Sequence, residues 1–197
     1  MRRQWFLMSG FVTAALIASC ASSAHHAAPV SEEEMGRRWM EFMTPGSGHQ
    51  VLNERAGNWK LEIKFWMPGS PEAMASSGTS SMRWILDGRY LEDRTQASNP
   101  MGLFEGRGIV GFDNLTKKYF STWIDTSGTG LSTSTGDFDT ATHTFHFTVK
   151  MPDPTSGQYI TARTAEKRID ADRWVAEMFQ PGPDGEYRCL ELTYTRQ

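Results

Sequence analysis

The chain has 197 residues but only two cysteines, Cys20 and Cys189, so no disulfide framework can hold it together. Its apolar runs all fall short of the roughly 20 residues a spanning helix needs. Charge of neither sign dominates: 20 Lys and Arg stand against 23 Asp and Glu, a net charge of −3. That balance gives no electrostatic reason to expect a nucleic-acid partner. Gly-x-Ser-x-Gly, phosphate-loop, Cys-x-x-Cys and His-Glu-x-x-His patterns are all missing, so nucleophilic or metal-assisted hydrolysis has no support and no cofactor is expected. What is present is ordinary globular material, with 39% hydrophobic residues, 12% aromatic residues and 18 Gly. Once the leading segment is set aside, it suffices for one domain of roughly 150 residues.

The leading segment reads as an export signal over residues 1–19, with Arg2 and Arg3 as a basic start and Trp5 to Ala18 as an apolar stretch. Ile17-Ala18-Ser19-Cys20 resembles the bacterial lipobox, which makes Cys20 the expected lipidation site and first mature residue. Ala21 rather than Asp follows it, which by resemblance to Gram-negative sorting rules points to the outer membrane, facing the periplasm. The competing reading cleaves after Ala24 and releases a periplasmic or secreted protein. Either way Cys20 is lost as a disulfide partner, and Cys189 is expected to be a small buried strand residue. Residues 20–30, rich in Ser, His, Ala and Pro, suit a tether.

Residues 31–197 are expected to form the domain. Ser31 before Glu32, Glu33 and Glu34 is an N-cap with an acidic first turn. Met35, Trp39, Phe42 and Met43 recur at helical spacing, giving an apolar face expected to pack on the rest of the domain, until Thr44-Pro45-Gly46 ends the helix. A second helical turn is predicted over His49 to Arg55. From Gly57 the period becomes two: Trp59, Leu61, Ile63, Phe65 and Met67 alternate with Lys60, Glu62 and Lys64. Further strands are predicted near 77–86, 89–97, 103–112, 118–125, 129–138, 143–151, 158–169, 173–180 and 187–196, separated by turn residues such as Asp87-Gly88, Asp113-Asn114 and Asp139-Thr140. About ten strands on short connections exclude a parallel sheet. They predict an all-β, antiparallel up-and-down barrel preceded by one or two short helices, with a two-sheet sandwich as the alternative.

Gly57-Asn58-Trp59, after a short helix and at the start of the first strand, is similar to the Gly-x-Trp signature of lipocalins. More specific are Phe104-Glu105-Gly106-Arg107-Gly108, Gly111-Phe112-Asp113-Asn114, Lys117-Lys118-Tyr119, Ser121-Thr122-Trp123-Ile124-Asp125, Gly128-Thr129-Gly130, Pro181-Gly182-Pro183-Asp184-Gly185 and Tyr194-Thr195-Arg196. Together they closely resemble a family of bacterial domains of unknown function with lipocalin-like barrels. The resemblance implies the fold and says little of activity.

The ligand-binding candidates are Glu105, Arg107, Trp123 and Asp125. Glu105 and Arg107 lie two apart on one strand and share a face. In the lumen they would bind a polar head group; on the exterior they would be a surface ion pair. Phe104, Val110 and Phe112 on the opposite face favour the exterior. Gly106 and Gly108 leave room for a ligand or for a ring such as Trp123. Trp123 and Asp125 share a face as ligand wall or as core. His143 and His146, three apart in a strand, point to opposite faces and cannot chelate one metal together. Haem held by a single histidine, as in the similar nitrobindin barrels, is the least supported reading. The expected function is that of an exported, lipid-anchored lipoprotein whose barrel binds a small lipophilic ligand. The alternatives are a structural or partner-docking lipoprotein and, behind both, an isomerase-like use of Glu105, Arg107 and Asp125.

Overall fold

In the computed structural model, residues 30–99 and 102–197 are described. The segment expected to be an export signal, Cys20 and most of the expected tether lie outside the described residues. Helix α1 (Glu32–Met43) is followed by the short α2 (Ser47–Val51) and a 3-10 turn (Leu52–Arg55). Ten strands then run β1 (Gly57–Phe65), β2 (Met74–Ile85), β3 (Tyr90–Asn99), β4 (Gly102–Asp113), β5 (Lys118–Asp125), β6 (Ser132–Asp139), β7 (Thr144–Asp153), β8 (Gln158–Asp170), β9 (Arg173–Gly182) and β10 (Gly185–Arg196). Each pairs antiparallel with its neighbour in sequence, and β1 pairs with β10 to close the barrel.

Closure removes both sheet edges, so every strand has a lumen face and an outer face. On β1, Trp59 and Leu61 are each 1% exposed while Lys60, Glu62 and Lys64 face solvent. The expected alternation ends at Phe65, and Met67 lies beyond the strand and is exposed. The Asp-initiated turns form as expected: Asp113 accepts from Leu115 N and Thr116 Oγ1, and Asp139 accepts from Ala141 N and Thr142 Oγ1. Asp153 repeats the device with Thr155 N.

The two helical segments end up differently. Ser31 caps α1 as expected, its side chain accepting from Glu34 N. The apolar face of α1, however, is not packed on the barrel: Met35, Trp39, Phe42 and Met43 are all exposed and the helix has no buried residue. At its end the Asn114 side-chain amide lies within hydrogen-bond distance of three carbonyls, those of Glu41, Phe42 and Thr44. α2 and the 3-10 turn, by contrast, plug one end of the barrel, where Leu52 is fully buried among Trp59, Tyr119, Phe145, Trp174 and Tyr194. His49 lies buried there with its ring edge-on to Phe112, and its Nδ1 accepts from Gly46 N. Burial and the nearby Arg89 hold its pKa below the ordinary value, consistent with that acceptor role.

The Gly-x-Trp signature acquires a physical reason at this end. Trp59 Nε1 donates to Arg55 O at 2.8 Å, and the Arg196 guanidinium lies 4.1 Å over the Trp59 ring while donating to the carbonyls of Ala56 and Glu54. Gly57 takes φ 141°, and a Cβ there would sit 2.4 Å from Arg196 Nη1. The last strand is thereby clamped to the segment that precedes the first.

Candidate functional site

Strand parity and register identify the lumen. From the Trp59 face the pairings carry inward Ser80, Asp93, Gly108, Trp123, Ser134, Val149, Ala162, Met178 and Leu192 around the wall. The wall is asymmetric. From β2 to β6 the inward residues are mostly small or polar, among them Ser80, Thr95, Gly106, Gly108, Ser121 and Ser134. From β7 round to β1 the larger apolar residues gather, such as Phe147, Val149, Leu192 and Ile63, with Thr164 and Glu166 among them as the polar exceptions.

The end opposite the helical plug is the mouth. There Phe65, Phe104, Trp123, Ile160 and Leu190 face inward, yet each is only half-buried, and none belongs to the core cluster. All five stand near the strand ends away from the helical plug and are partly exposed there. The rim continues the apolar character, with Met67, Met74, Leu103, Leu131 and Tyr159 all exposed.

The structure places the four sequence-predicted residues on two sides of this wall. Trp123 and Asp125 face inward, opposite Gly108 and Gly106. Trp123 Nε1 donates to Asp125 Oδ2 at 2.8 Å, and Asp125 Oδ1 accepts from Ser127 N. The carboxylate therefore locks the indole, which lies across the two glycines: a Cβ on Gly106 would be 2.1 Å from the ring. Glu105 and Arg107 face outward, beside a groove of about 400 Å³ that Thr79, Ser81, Arg94 and Gln96 also line. Gln96 Nε2 donates to Glu105 at 2.9 Å. The four residues do not converge on one site. His143 sits in the β6–β7 turn and His146 faces outward, so neither looks into the lumen. Cys189 is half-buried at a bulge in β10, its Sγ against Met178 O, and burial pushes its pKa up to about 11.

Sequence reasoning missed the polar groups at the lumen floor. Arg55, carried in on the 3-10 turn, pairs with Glu166 of β8 and lies 5.8 Å over the Trp174 ring and 5.7 Å over Phe145. Asp93 accepts from Ser80 Oγ at 2.6 Å and Thr95 Oγ1 at 3.0 Å. Burial pushes the Asp93 carboxyl up, against the opposing pull of its hydroxyl partners and of Arg55. Burial likewise raises the Tyr194 phenol, with Asp93 adding to it. The signal was available: Asp93 shares a face with Leu91, Thr95 and Ala97, and Glu166 shares one with Ala162 and Thr164. A carboxylate on the apolar face of an alternating strand needs a buried partner.

The profile of a family described as "Protein of unknown function (DUF1579)" matches residues 44–196, from the end of α1 through β10. No curated protein matches. Among solved structures, the chain is similar to Rv2717c from M. tuberculosis, with a TM-score of 0.58 at 13% identity over 78% of this chain and 99% of that one. A redesigned β-barrel aligns at a TM-score of 0.37 and 14% identity, over 76% of this chain and 95% of that one. At 13% identity the likeness to Rv2717c concerns the fold alone.

Proposed function

The chain belongs to the DUF1579 family of proteins of unknown function, and from that premise we propose that its barrel binds a small, mostly apolar molecule in the open half of the lumen. The observation that carries this reading is the ring of inward, half-exposed Phe65, Phe104, Trp123, Ile160 and Leu190 at an unplugged mouth. Pockets for such ligands are concave and largely apolar, with a few placed polar groups. Trp123, fixed by Asp125 against Gly106 and Gly108, supplies a rigid flat wall. The apolar rim suits collection of the molecule from a membrane, and the lipobox-like Cys20 would hold the barrel at one.

Titration with the neutral fluorophore N-phenyl-1-naphthylamine tests the lumen, and native mass spectrometry of protein from its own host tests for a resident molecule. We expect saturable fluorescence at one site and a bound mass. Dark titrations together with an unliganded protein would overturn the reading. The anchor is tested separately by Cys20→Ser, which should abolish palmitate labelling and release a folded barrel from membranes. An unlabelled, soluble wild-type protein would refute it.

A second reading, docking on another envelope protein, rests on a different observation. Met35, Trp39, Met40, Phe42 and Met43 leave α1 with a solvent-facing apolar side. Deleting residues 31–43 should leave fluorophore binding intact while removing any co-purifying protein.

A further inference from the structure

Helix α1 presents an apolar side that nothing covers among the described residues. Met35, Trp39, Met40, Phe42 and Met43 are each between 46% and 61% exposed. At 3.6 residues per turn, Met35, Trp39, Phe42 and Met43 fall within one arc of about 100°, flanked by Met40. The Trp39 and Phe42 rings pack edge to face on that arc, with centroids 5.9 Å apart. Most charges stand on the other side. Arg37 and Arg38 both pair with Glu34, at 2.8 and 2.6 Å, and Arg37 also pairs with Glu41. Only Glu32 shares the apolar arc, at the first turn. The barrel offers this helix polar contacts at one end, where the Asn114 amide meets the carbonyls of Glu41, Phe42 and Thr44, and buries none of its residues. The polar side is therefore satisfied within the helix, and the apolar side is left without a partner.

Area, length and position decide what covers it. A stable protein interface takes roughly 20–30 residues a side, of which a 12-residue helix with five exposed apolar side chains is a small part. A bilayer surface sets no such requirement. It takes an amphipathic helix lying in its plane, and α1 is about 18 Å of one. Position points the same way: α1 begins at Glu32, twelve residues after Cys20, so an acylated Cys20 keeps the start of the helix within about 40 Å of the membrane. That tether holds α1 beside the bilayer at a high effective concentration. The helix depends on it, because Glu32, Glu33, Glu34 and Glu41 outnumber Arg37 and Arg38 and remove any attraction to anionic lipid.

We propose that α1 lies in the surface of the bilayer that holds Cys20. Its Met35, Trp39, Phe42 and Met43 side enters the boundary between head groups and acyl chains, and its Glu34, Arg37 and Glu41 side faces water. The inference rests on the Cys20 anchor proposed above and is independent of the lumen. It gives to lipid the face that the docking reading gives to a protein.

The test reconstitutes the full chain, purified from its own host, into phosphatidylcholine vesicles brominated either close to the head group or deep in the acyl tail. Bromine quenches tryptophan only at close range, and the difference between wild type and Trp39→Phe isolates Trp39 from the other six tryptophans. We expect Trp39 emission to fall about twofold or more, and further with the shallow bromine than with the deep one. Phe42→Ser/Met43→Ser keeps the reporter and changes only side chains that are exposed in the fold, so it should leave the barrel intact and restore roughly half of the lost emission. Trp39 that stays unquenched on vesicle-bound chain would overturn the inference, and a dimer or a co-purifying protein would then name the occupant of the face. Quenching that Phe42→Ser/Met43→Ser leaves unaltered would also overturn it. Wild type that carries no palmitate and stays off the vesicles would overturn the anchor and this inference with it, a failure told apart from the others by the missing label.

Discussion

The two ends of this barrel are built from the same alternating strands and have opposite fates. At the plugged end, Leu52 enters from the 3-10 turn and completes a core in which Trp59, Leu61, Leu91 and Phe145 are each 1% exposed or less. At the mouth, Phe65 lies four residues beyond Leu61 on β1 and Leu190 four residues from Tyr194 on β10, inward on the same face, and both are only partly buried. No property of the strands separates them. The difference is a short helical segment that caps one opening and not the other, which teaches that here a cover, more than composition, turns an apolar lumen face into core. Stability is accordingly expected at the plugged end and binding at the mouth.

Substitutions at the two ends should therefore separate stability from binding. The largest effect belongs to Trp59→Ala. It removes a fully packed ring, its bond to Arg55 O and the stacking of Arg196, and should destabilise by about 3–5 kcal/mol in urea titrations. A loss below about 1 kcal/mol would mean that the clamp on the plug carries little. Gly106→Val, near the mouth, puts a side chain where the Trp123 ring lies and should destabilise by roughly 1–3 kcal/mol. Its distinguishing readout is fluorophore affinity, which should fall because the wall has moved; unchanged affinity would place binding elsewhere.

Asp93→Asn probes the floor between the two ends. The folded pKa of Asp93 is raised, so between the ordinary aspartate value and its own raised value the native state holds more protons than the unfolded chain. The contribution of this group to stability is thus present at low pH and lost as pH rises through that window, with a slope approaching about 1.4 kcal/mol per pH unit. Asn keeps an oxygen for Ser80 and Thr95 but cannot ionise. The variant should therefore lose this pH slope and gain on the wild type toward neutral pH; parallel stability curves would refute the assignment. The smallest effects are expected on the outer wall. Glu105→Gln and Arg107→Gln should each stay within about 0.5 kcal/mol and leave fluorophore affinity unchanged. A large affinity loss there would move the site from the lumen to the outer groove.

The misplacement of α1 has the same origin as the contrast between the ends. Met35, Trp39, Phe42 and Met43 sit at correct helical spacing, and Ser31 caps where its chemistry says it should. Spacing gives a helix an apolar face; it does not state what that face meets. The shorter segment at His49 to Arg55, with a weaker pattern, became the buried one because it immediately precedes Gly57-x-Trp59 and is drawn into the barrel end by Trp59 and Arg196.

By itself the sequence determined what local chemistry can determine. The number and order of the strands follow from alternation and turn residues, down to the Asx turns at Asp113 and Asp139, because a period of two and a side-chain bond two residues on are short-range properties. Pairing with the neighbour in sequence follows from short connections. Closure of β1 on β10 joins residues more than a hundred positions apart, and only the tertiary structure decided what it brought together. It put Arg55 on Glu166 across 111 positions and set Trp174 beneath the Arg55 guanidinium. It also made the wall that divides Glu105 and Arg107 from Trp123 and Asp125. Alternation assigns residues to two faces, but which face becomes the inside depends on the direction in which the whole sheet curls, and that is settled by all ten strands at once.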